Sequence, residues 1–172
     1  MRKIFLLILG FSAGLLTLSA QPITLEELFF KRTFRQSIVF GLASTQDGLH
    51  YTTLENGGRQ IVKYSYKTGL KEGVILDLET LKNDSLTSIS EYIFSDNEQK
   101  ILLLTDRKPI YRRSFTAVYY VYNIPTKELS RLSSGRQQVA TFSPDGERVA
   151  FVRSNNIYVK SSWSPTNISS AT

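Results

Sequence analysis

Cysteine is absent from the 172-residue sequence. This absence excludes disulfide bonds, thiolate metal sites, a cysteine nucleophile and a lipid-modified cysteine near the N-terminus. Histidine occurs once, at His50, and a single histidine cannot build a histidine-based metal site. The sequence therefore predicts no metal site and no other cofactor.

Recognisable catalytic motifs are also missing from residues 21–172. A serine hydrolase of the α/β type needs a strained G-x-S-x-G turn, and no such string occurs there. His50 lies in DGLHYTT, where a solvated or strand-face histidine is far more common than a catalytic base. Glu26 and Glu27 fit the first turn of a helix, and ENGGRQ at 55–60 fits a hairpin turn rather than a phosphate loop. The sequence predicts no catalytic residue in this chain.

Positive charge is modest and scattered. The net charge is +6, and Arg2 and Lys3 supply two of these charges, so residues 21–172 carry +4 (6 − 2). Nucleic-acid binders cluster their basic residues on one face or along one element, and this sequence shows no such cluster. It therefore predicts no binding to nucleic acid.

The first twenty residues, MRKIFLLILGFSAGLLTLSA, have the layout of a secretory signal peptide. Two positive charges precede an apolar run that ends in small residues. We expect residues 1–20 to be removed after Ala20, although Leu18 is larger than usual at its position, and an uncleaved membrane anchor is the alternative. Either case predicts an exported protein, periplasmic or secreted.

Strand-forming residues and turn signals dominate the remainder. Aromatic residues make up 12% of the chain, with 9 tyrosines and 10 phenylalanines, and valine, isoleucine and threonine are frequent. A short helix near residues 25–32 is predicted at the start, because Thr24 and Glu27 form a capping-box pattern. No sustained helical period follows it.

Three similar sequence segments predict the architecture. The segments STQDGLHYTTLE, FSDNEQKILLLTD and FSPDGERVAFVR each place a serine and an aspartate-containing turn before an apolar strand. The aspartates Asp47, Asp96 and Asp145 are 49 residues apart (96 − 47 and 145 − 96). Each segment therefore predicts a strand, a tight turn and a second strand.

Further strands complete each unit. Third strands are predicted at 60–66, 115–123 and 155–160, and fourth strands at 73–78 and 129–133. Four strands in 40–50 residues is the size of a propeller blade, and propellers close with about 4–8 blades. The sequence thus predicts an all-β fold, a partial β-propeller of about three four-stranded blades over residues 21–160. The segment SSWSPTNISSAT at 161–172 is expected to be a polar tail that marks a truncation.

Several stretches resemble one known family. These are ITLEE, YRRSFTAVYYVYN at 111–123 and TFSPDGERVAFVRSNNIYVK at 141–160. Together they resemble the N-terminal region of dipeptidyl-peptidase IV, a serine exopeptidase of the prolyl oligopeptidase superfamily, and especially its exported bacterial members. The resemblance covers about residues 23–160.

The resemblance implies a two-domain enzyme, of which this chain contains only the propeller region. Family members join an eight-bladed propeller to a C-terminal α/β-hydrolase domain with a Ser-Asp-His triad, remove N-terminal Xaa-Pro or Xaa-Ala dipeptides, and are commonly homodimers. Their propeller gates the active site and holds the substrate's N-terminus. Because the triad domain and the family's glutamate pair are missing here, the resemblance implies that this chain is inactive alone.

One functional residue is implied by the family pattern R-x-S-[FY]-x-A. Here it reads Arg112-Arg113-Ser114-Phe115-Thr116-Ala117, so Arg112 matches the arginine that binds a substrate carbonyl oxygen. Arg113 falls where the family varies and receives no role. Tyr111, Ser114 and Tyr120 could support the loop, but strand packing is the favoured interpretation, because aromatic residues readily fill half-buried strand positions.

Two hypotheses follow. The first is an N-terminal propeller fragment of a dipeptidyl-peptidase IV-like enzyme, which positions peptide substrate through Arg112. The second is a non-catalytic, exported propeller that binds or scaffolds partners, in which Arg112 is an ordinary solvated charge.

Overall fold

A computed structural model describes residues 22–31, 33–34, 36, 38–81, 85–161 and 168–170. The predicted signal peptide at 1–20 lies outside these residues. The chain divides into two units, residues 1–38 and residues 39–172. Within the described residues, no helix combines the length and the hydropathy needed to cross a membrane.

The first unit contains one short helix among its described residues, α1 at Leu25–Phe29. The hydroxyl of Thr24 accepts a hydrogen bond from the Glu27 amide, and the Glu27 side chain accepts one from the Thr24 amide. This is the predicted capping box, which satisfies two amides that the first helical turn would leave unpaired. The predicted helix is confirmed, but it ends at Phe29 rather than near residue 32.

The described part of the second unit contains three antiparallel four-stranded sheets, each built from consecutive strands. Blade 1 comprises β1 (Phe40–Ser44), β2 (His50–Glu55), β3 (Gln60–Ser65) and β4 (Lys71–Asp77). Blade 2 comprises β5 (Glu91–Phe94), β6 (Lys100–Pro109), β7 (Phe115–Asn123) and β8 (Glu128–Arg131). Blade 3 comprises β9 (Gln138–Phe142), β10 (Arg148–Arg153), β11 (Asn156–Ser161) and β12 (Ile168–Ser170). The predicted partial propeller of three four-stranded blades is confirmed.

The last strand was not predicted. β12 pairs with β11 through Lys160 and Ile168 and through Tyr158 and Ser170. It lies inside the segment 161–172 that the sequence analysis set apart as a polar tail; residues 162–167 and 171–172 lie outside the described residues. Backbone pairing needs no apolar side chain, and this is why a Ser/Thr-rich stretch can supply a strand that the hydrophobic pattern does not signal.

The three tight turns share one set of hydrogen bonds. A hydroxyl at Thr45, Ser95 or Ser143 donates to a side-chain oxygen two residues later, which is that of Asp47, Asn97 or Asp145. That oxygen also accepts a hydrogen bond from the backbone amide two residues further on. The next residue after each acceptor has a positive φ, at Gly48, Glu98 and Gly146.

The predicted register of the second turn is therefore wrong by one residue. Asn97, and not Asp96, occupies the position of Asp47 and Asp145, and the spacings are 50 and 48 residues (97 − 47 and 145 − 97). Asparagine can replace aspartate because its carbonyl oxygen accepts the same two hydrogen bonds. An alignment of the three turns by their aspartates therefore assigns Asp96 to the position that Asn97 occupies.

Blade 2 is buried on both faces. Its strands alternate, so that Ile101, Leu103 and Tyr120 pack toward blade 1, and Leu102, Leu104 and Tyr119 pack toward blade 3. From blade 1 the first cluster receives Leu54, Ile61 and Leu76; from blade 3 the second receives Ala140, Val149 and Phe151. Fully burying one such aliphatic or aromatic side chain contributes about 1.5–3 kcal/mol, so these two layers hold neighbouring blades together.

Polar side chains also connect the blades. The Gln46 amide donates to Glu98 Oε1 over 2.7 Å, and Lys100 Nζ donates to the Gly146 carbonyl over 3.1 Å, so each tight turn contacts the next. Lys160 Nζ donates to the Leu132 carbonyl over 2.9 Å, and partial burial lowers the pKa of this amine. These directional contacts add to the apolar packing between neighbouring blades.

Candidate functional site

Arg112 lies in the loop at 110–114 between β6 and β7. The amide of Ile110 donates to the Ser114 carbonyl over 2.8 Å, and the amide of Tyr111 donates to the same oxygen over 3.2 Å. Two long strands support this loop, with Pro109 opposite Phe115 at their ends. Arg112 and Arg113 are both exposed, so both guanidinium groups are accessible to a ligand.

Three residues near Arg112 differ in burial and in the contacts that they make. Tyr120 is buried between blades 1 and 2, which confirms its predicted packing role. Tyr111 is 80% exposed, so the prediction that it packs within the sheet is wrong. Ser114 acts through its backbone carbonyl, which closes the loop.

Arg136 anchors the two strands that bear the loop. It precedes β9, and it donates from Nε to Thr116 Oγ1 over 2.9 Å and from Nη2 to the Thr116 carbonyl over 3.0 Å. The same guanidinium donates to the carboxylate and to the backbone carbonyl of Asp106. Asp106 has a φ of +47° and lies at a β-bulge between Thr105 and Lys108. One side chain next to blade 3 thus holds both strands of the Arg112 hairpin in blade 2.

Nothing in the sequence points to the role of Arg136. It is one of many scattered basic residues, and its partner Asp106 is 30 residues away along the chain. No local motif signals such a pair.

A pocket of about 290 Å³ opens beside the loop, between blades 2 and 3. Arg113 and Ser114 line it, whereas Arg112 does not. Its remaining lining residues are Glu91, Tyr92, Ile93, Leu102, Leu104, Phe115, Tyr119, Gln138, Val139 and Ala140. The two arginines therefore point to different surroundings: Arg113 contributes to a largely apolar pocket, and Arg112 extends from the exposed loop.

Arg107 contacts two of the residues that line the pocket. The Arg107 guanidinium lies 3.9 Å from the centre of the Phe115 ring, and its Nη1 lies 3.9 Å from Glu91 Oε2. Burial raises the pKa of Tyr119, a change that its hydrogen bond to the Ala140 backbone partly opposes. Tyr119 therefore stays a neutral phenol throughout the physiological pH range.

His50 is held between two carboxylates. Its Nδ1 lies 2.5 Å from Asp47 Oδ2, and its Nε2 lies 2.9 Å from Glu72 Oε2. This arrangement joins the first tight turn to β4. Both ring nitrogens face acidic oxygens, so His50 has no ring nitrogen left to serve as a base toward a serine. This location agrees with the predicted strand-face role.

The string GFSAG at 10–14 matches G-x-S-x-G by its letters. It falls within the apolar run of the predicted signal peptide and outside the described residues. A nucleophile turn requires a strand before the serine and a helix after it, together with a histidine base. The place of this string in the predicted signal peptide gives no catalytic assignment.

Comparisons with known proteins agree with one another. Residues 95–171 match the family model for the dipeptidyl peptidase IV N-terminal region. The probable dipeptidyl-aminopeptidase B of Aspergillus niger is 30% identical over 158 residues, which cover 83% of this chain and 17% of that protein. The human prolyl endopeptidase FAP is 31% identical over 146 residues, covering 81% of this chain and 18% of that protein.

A solved structure gives the same result. The crystal structure of Porphyromonas gingivalis dipeptidyl peptidase 4 matches 89% of this chain with a TM-score of 0.74 and 34% identity. The match covers 22% of that protein. This chain therefore spans about a fifth of the length of the relatives that it matches.

Proposed function

The chain belongs to the N-terminal propeller regions of dipeptidyl peptidase IV-like peptidases, and from this premise we propose that it positions peptide substrate for such a peptidase. The proposed enzyme releases N-terminal Xaa-Pro or Xaa-Ala dipeptides. In this proposal the propeller gates access to the active site, and Arg112 binds a carbonyl oxygen of the substrate.

The observation that supports this role is the anchored loop. Arg112 is exposed at the end of a hairpin whose strands are both held by Arg136. A guanidinium offers several donors in a fixed plane and stays charged, so a rigidly mounted one can hold a carbonyl oxygen in a single orientation. Holding the substrate in one geometry lowers the barrier for attack on a neighbouring carbonyl.

The setting of this function is part of the proposal. We propose that the catalytic Ser-Asp-His triad belongs to a C-terminal α/β-hydrolase domain that partners this region, and that the working enzyme is a homodimer. We also propose that the protein is exported to the periplasm or secreted, with residues 1–20 as its signal. No residue of this chain takes a direct part in bond cleavage in this scheme.

A chimeric enzyme tests the role of Arg112. The matching region of the Porphyromonas gingivalis enzyme is replaced by residues 22–170 of this chain, so that β12 is included, and hydrolysis of a chromogenic Gly-Pro substrate is measured. We expect Arg112→Ala to lower kcat/KM by about 10- to 150-fold, because one hydrogen bond to a charged group contributes about 1.5–3 kcal/mol.

The neighbouring arginine provides the matched control. Arg113→Ala removes the same charge from the same loop, so it should retain most of the activity toward this short substrate. Circular dichroism and thermal melting establish that both variants fold. If Arg112→Ala and Arg113→Ala have the same kinetics as the parent chimera, Arg112 does not bind substrate, and the binding or scaffold hypothesis is favoured.

A further inference from the structure

A strained residue lies at the pocket between blades 2 and 3. In β9, Thr141 pairs with Ala150 and Gln138 pairs with Val152, so Val139 and Ala140 together oppose a single residue of β10. This is a β-bulge, and Val139 has a φ of +48°. A β-branched side chain rarely adopts this left-handed conformation, because its branches crowd the backbone.

Blade 1 contains the same bulge without the strain. In β1, Phe40 pairs with Leu54 and Ala43 pairs with Thr52, so Gly41 and Leu42 oppose a single residue of β2. Gly41 has a φ of +62°, which glycine adopts freely. The fold can therefore form this bulge with glycine, and the valine in blade 3 is not required for the backbone path.

Val139 also places an apolar side chain where water can reach it. It is 75% exposed and lines the pocket beside Ile93, Phe115 and Tyr119. An exposed apolar residue in a strained conformation gains little from packing within the chain. Strain of this kind is concentrated at functional sites, and bulges commonly reorient a side chain toward such a site. A ligand in the pocket would supply the contacts that the chain itself does not provide.

The charges at the pocket opening indicate which ligand fits. Glu91 is already paired with Arg107, whereas Arg113 lines the pocket with an exposed guanidinium and Arg112 is next to it. The opening thus carries excess positive charge around an apolar interior. Its volume of about 290 Å³ can hold one aliphatic or aromatic side chain, but it is small for a larger molecule.

We propose that this pocket binds an apolar side chain of a peptide whose adjacent residue is acidic, with Val139 contacting the side chain and Arg113 binding the carboxylate. The proposed function supplies only the ligand class, a peptide. The pocket itself is separate from Arg112, and it would select peptides by a residue other than those that Arg112 orients.

Binding to the full chain tests this proposal directly. The probes are dye-labelled hexapeptides of equal length that contain Leu-Asp, Gly-Asp or Leu-Lys at the centre, and fluorescence polarisation measures their dissociation constants. The Leu-Asp peptide should bind about tenfold more tightly than either of the others, since it alone fills the pocket and pairs with Arg113.

Val139→Gly separates function from structure. It should raise the melting temperature of the chain by relieving the strained backbone, and it should weaken Leu-Asp binding about tenfold by removing the apolar contact. Arg113→Ala should make the Leu-Asp and Leu-Lys peptides bind equally. Gly41→Val, the reverse exchange in blade 1, should lower the melting temperature, because a Cβ atom there would lie 2.8 Å from the Leu54 Cβ.

Two results would overturn the proposal. One is unchanged Leu-Asp binding in Val139→Gly. The other is a parallel loss of stability and binding in Val139→Gly, which would identify Val139 as a packing residue. Because these measurements record binding to this chain and not turnover, they are independent of the Arg112 kinetics. Failure of the pocket and failure of the proposed function are thus distinguishable.

Discussion

Single residues set how the tight turns respond to acid. Hydrogen bonds from Thr45 and from the Leu49 amide lower the pKa of Asp47 far below its ordinary value of 3.8. Hydrogen bonds from Ser143 and from the Glu147 amide lower the pKa of Asp145 in the same way. Asn97 makes equivalent hydrogen bonds in blade 2 but carries no charge. The three turns therefore share one geometry and differ in their response to pH.

Replacing these aspartates tests that difference. A carboxyl group whose pKa is lowered by folding contributes stability above its unfolded pKa, and this contribution is lost as the pH falls through the folded pKa. The double variant Asp47→Asn, Asp145→Asn should therefore lose less of its free energy of unfolding than the parent chain between pH 4 and pH 2. Urea denaturation at several pH values in that range measures the slope.

The reverse exchange is the control. Asn97→Asp introduces a carboxylate into the same hydrogen bonds, so it should steepen the fall of the unfolding free energy below about pH 4. Equal slopes in the parent, the double variant and Asn97→Asp would mean that these turns do not set the acid response.

At the scale of elements, the β6–β7 hairpin is held by a residue outside it, Arg136. Arg136 is the only described residue whose side chain donates to both Asp106 and Thr116, and its side chain is 23% exposed. We expect Arg136→Met to accelerate hydrogen exchange of the amides at 108–116, since the methionine keeps an apolar stem but loses every donor. The free energy of unfolding should fall by about 1–3 kcal/mol, because the hydrogen bonds that the charged guanidinium donates to Asp106 and Thr116 are lost.

Arg131→Met provides the comparison for that variant. The Arg131 guanidinium is exposed, and its one described hydrogen bond is a 3.4 Å contact with the Gly135 carbonyl. Exchange at 108–116 should be unaffected by this change. If Arg136→Met lowers global stability without accelerating exchange in the hairpin, Arg136 stabilises the blade interface and not the Arg112 loop.

Element positions could be predicted from local patterns. The alternation of apolar residues located β3, β7 and β11, and the capping box located α1, because each signal lies within a few neighbouring residues. The bulges at Gly41 and Val139 could not be predicted. Their φ angles arise from the register between two strands, which no single strand specifies.

The candidate site was predictable only in part. Arg112 was identified by a family pattern, and the structure places it on an exposed loop, but its role stays a proposal. The support from Arg136 and the pocket at Arg113 depend on contacts between blades 2 and 3. Such contacts join residues far apart in the chain, so composition and spacing contain no direct signal for them.

For the three blades as a whole, Tyr92 connects the first blade to the second. Its hydroxyl lies 2.7 Å from Thr52 Oγ1 and donates to the Gly41 carbonyl over 2.5 Å, and burial raises the pKa of this phenol. Tyr92→Phe should lower the free energy of unfolding by about 1–3 kcal/mol, because buried polar groups of blade 1 lose their partner. Chemical denaturation should also become less cooperative, because the buried Thr52 hydroxyl and the part-buried Gly41 carbonyl lose their contact with blade 2.

The matched control is Tyr111→Phe, which removes a hydroxyl from a side chain that is 80% exposed. Its unfolding free energy should stay within about 0.5 kcal/mol of the parent. An equal effect of the two substitutions would contradict a coupling role for the Tyr92 hydroxyl.

The strict succession of strands within each sheet has a consequence for biosynthesis. Each described strand pairs within its sheet only with its immediate neighbours in the chain, so all four strands of blade 1 are available to pair with one another once residue 77 has emerged. Low sequence separation between contacts favours rapid folding, and nascent chains fold from the N-terminus onward. We therefore expect the blades to form one after another as the chain emerges from its N-terminus onward, each using the exposed face of the previous blade as a template.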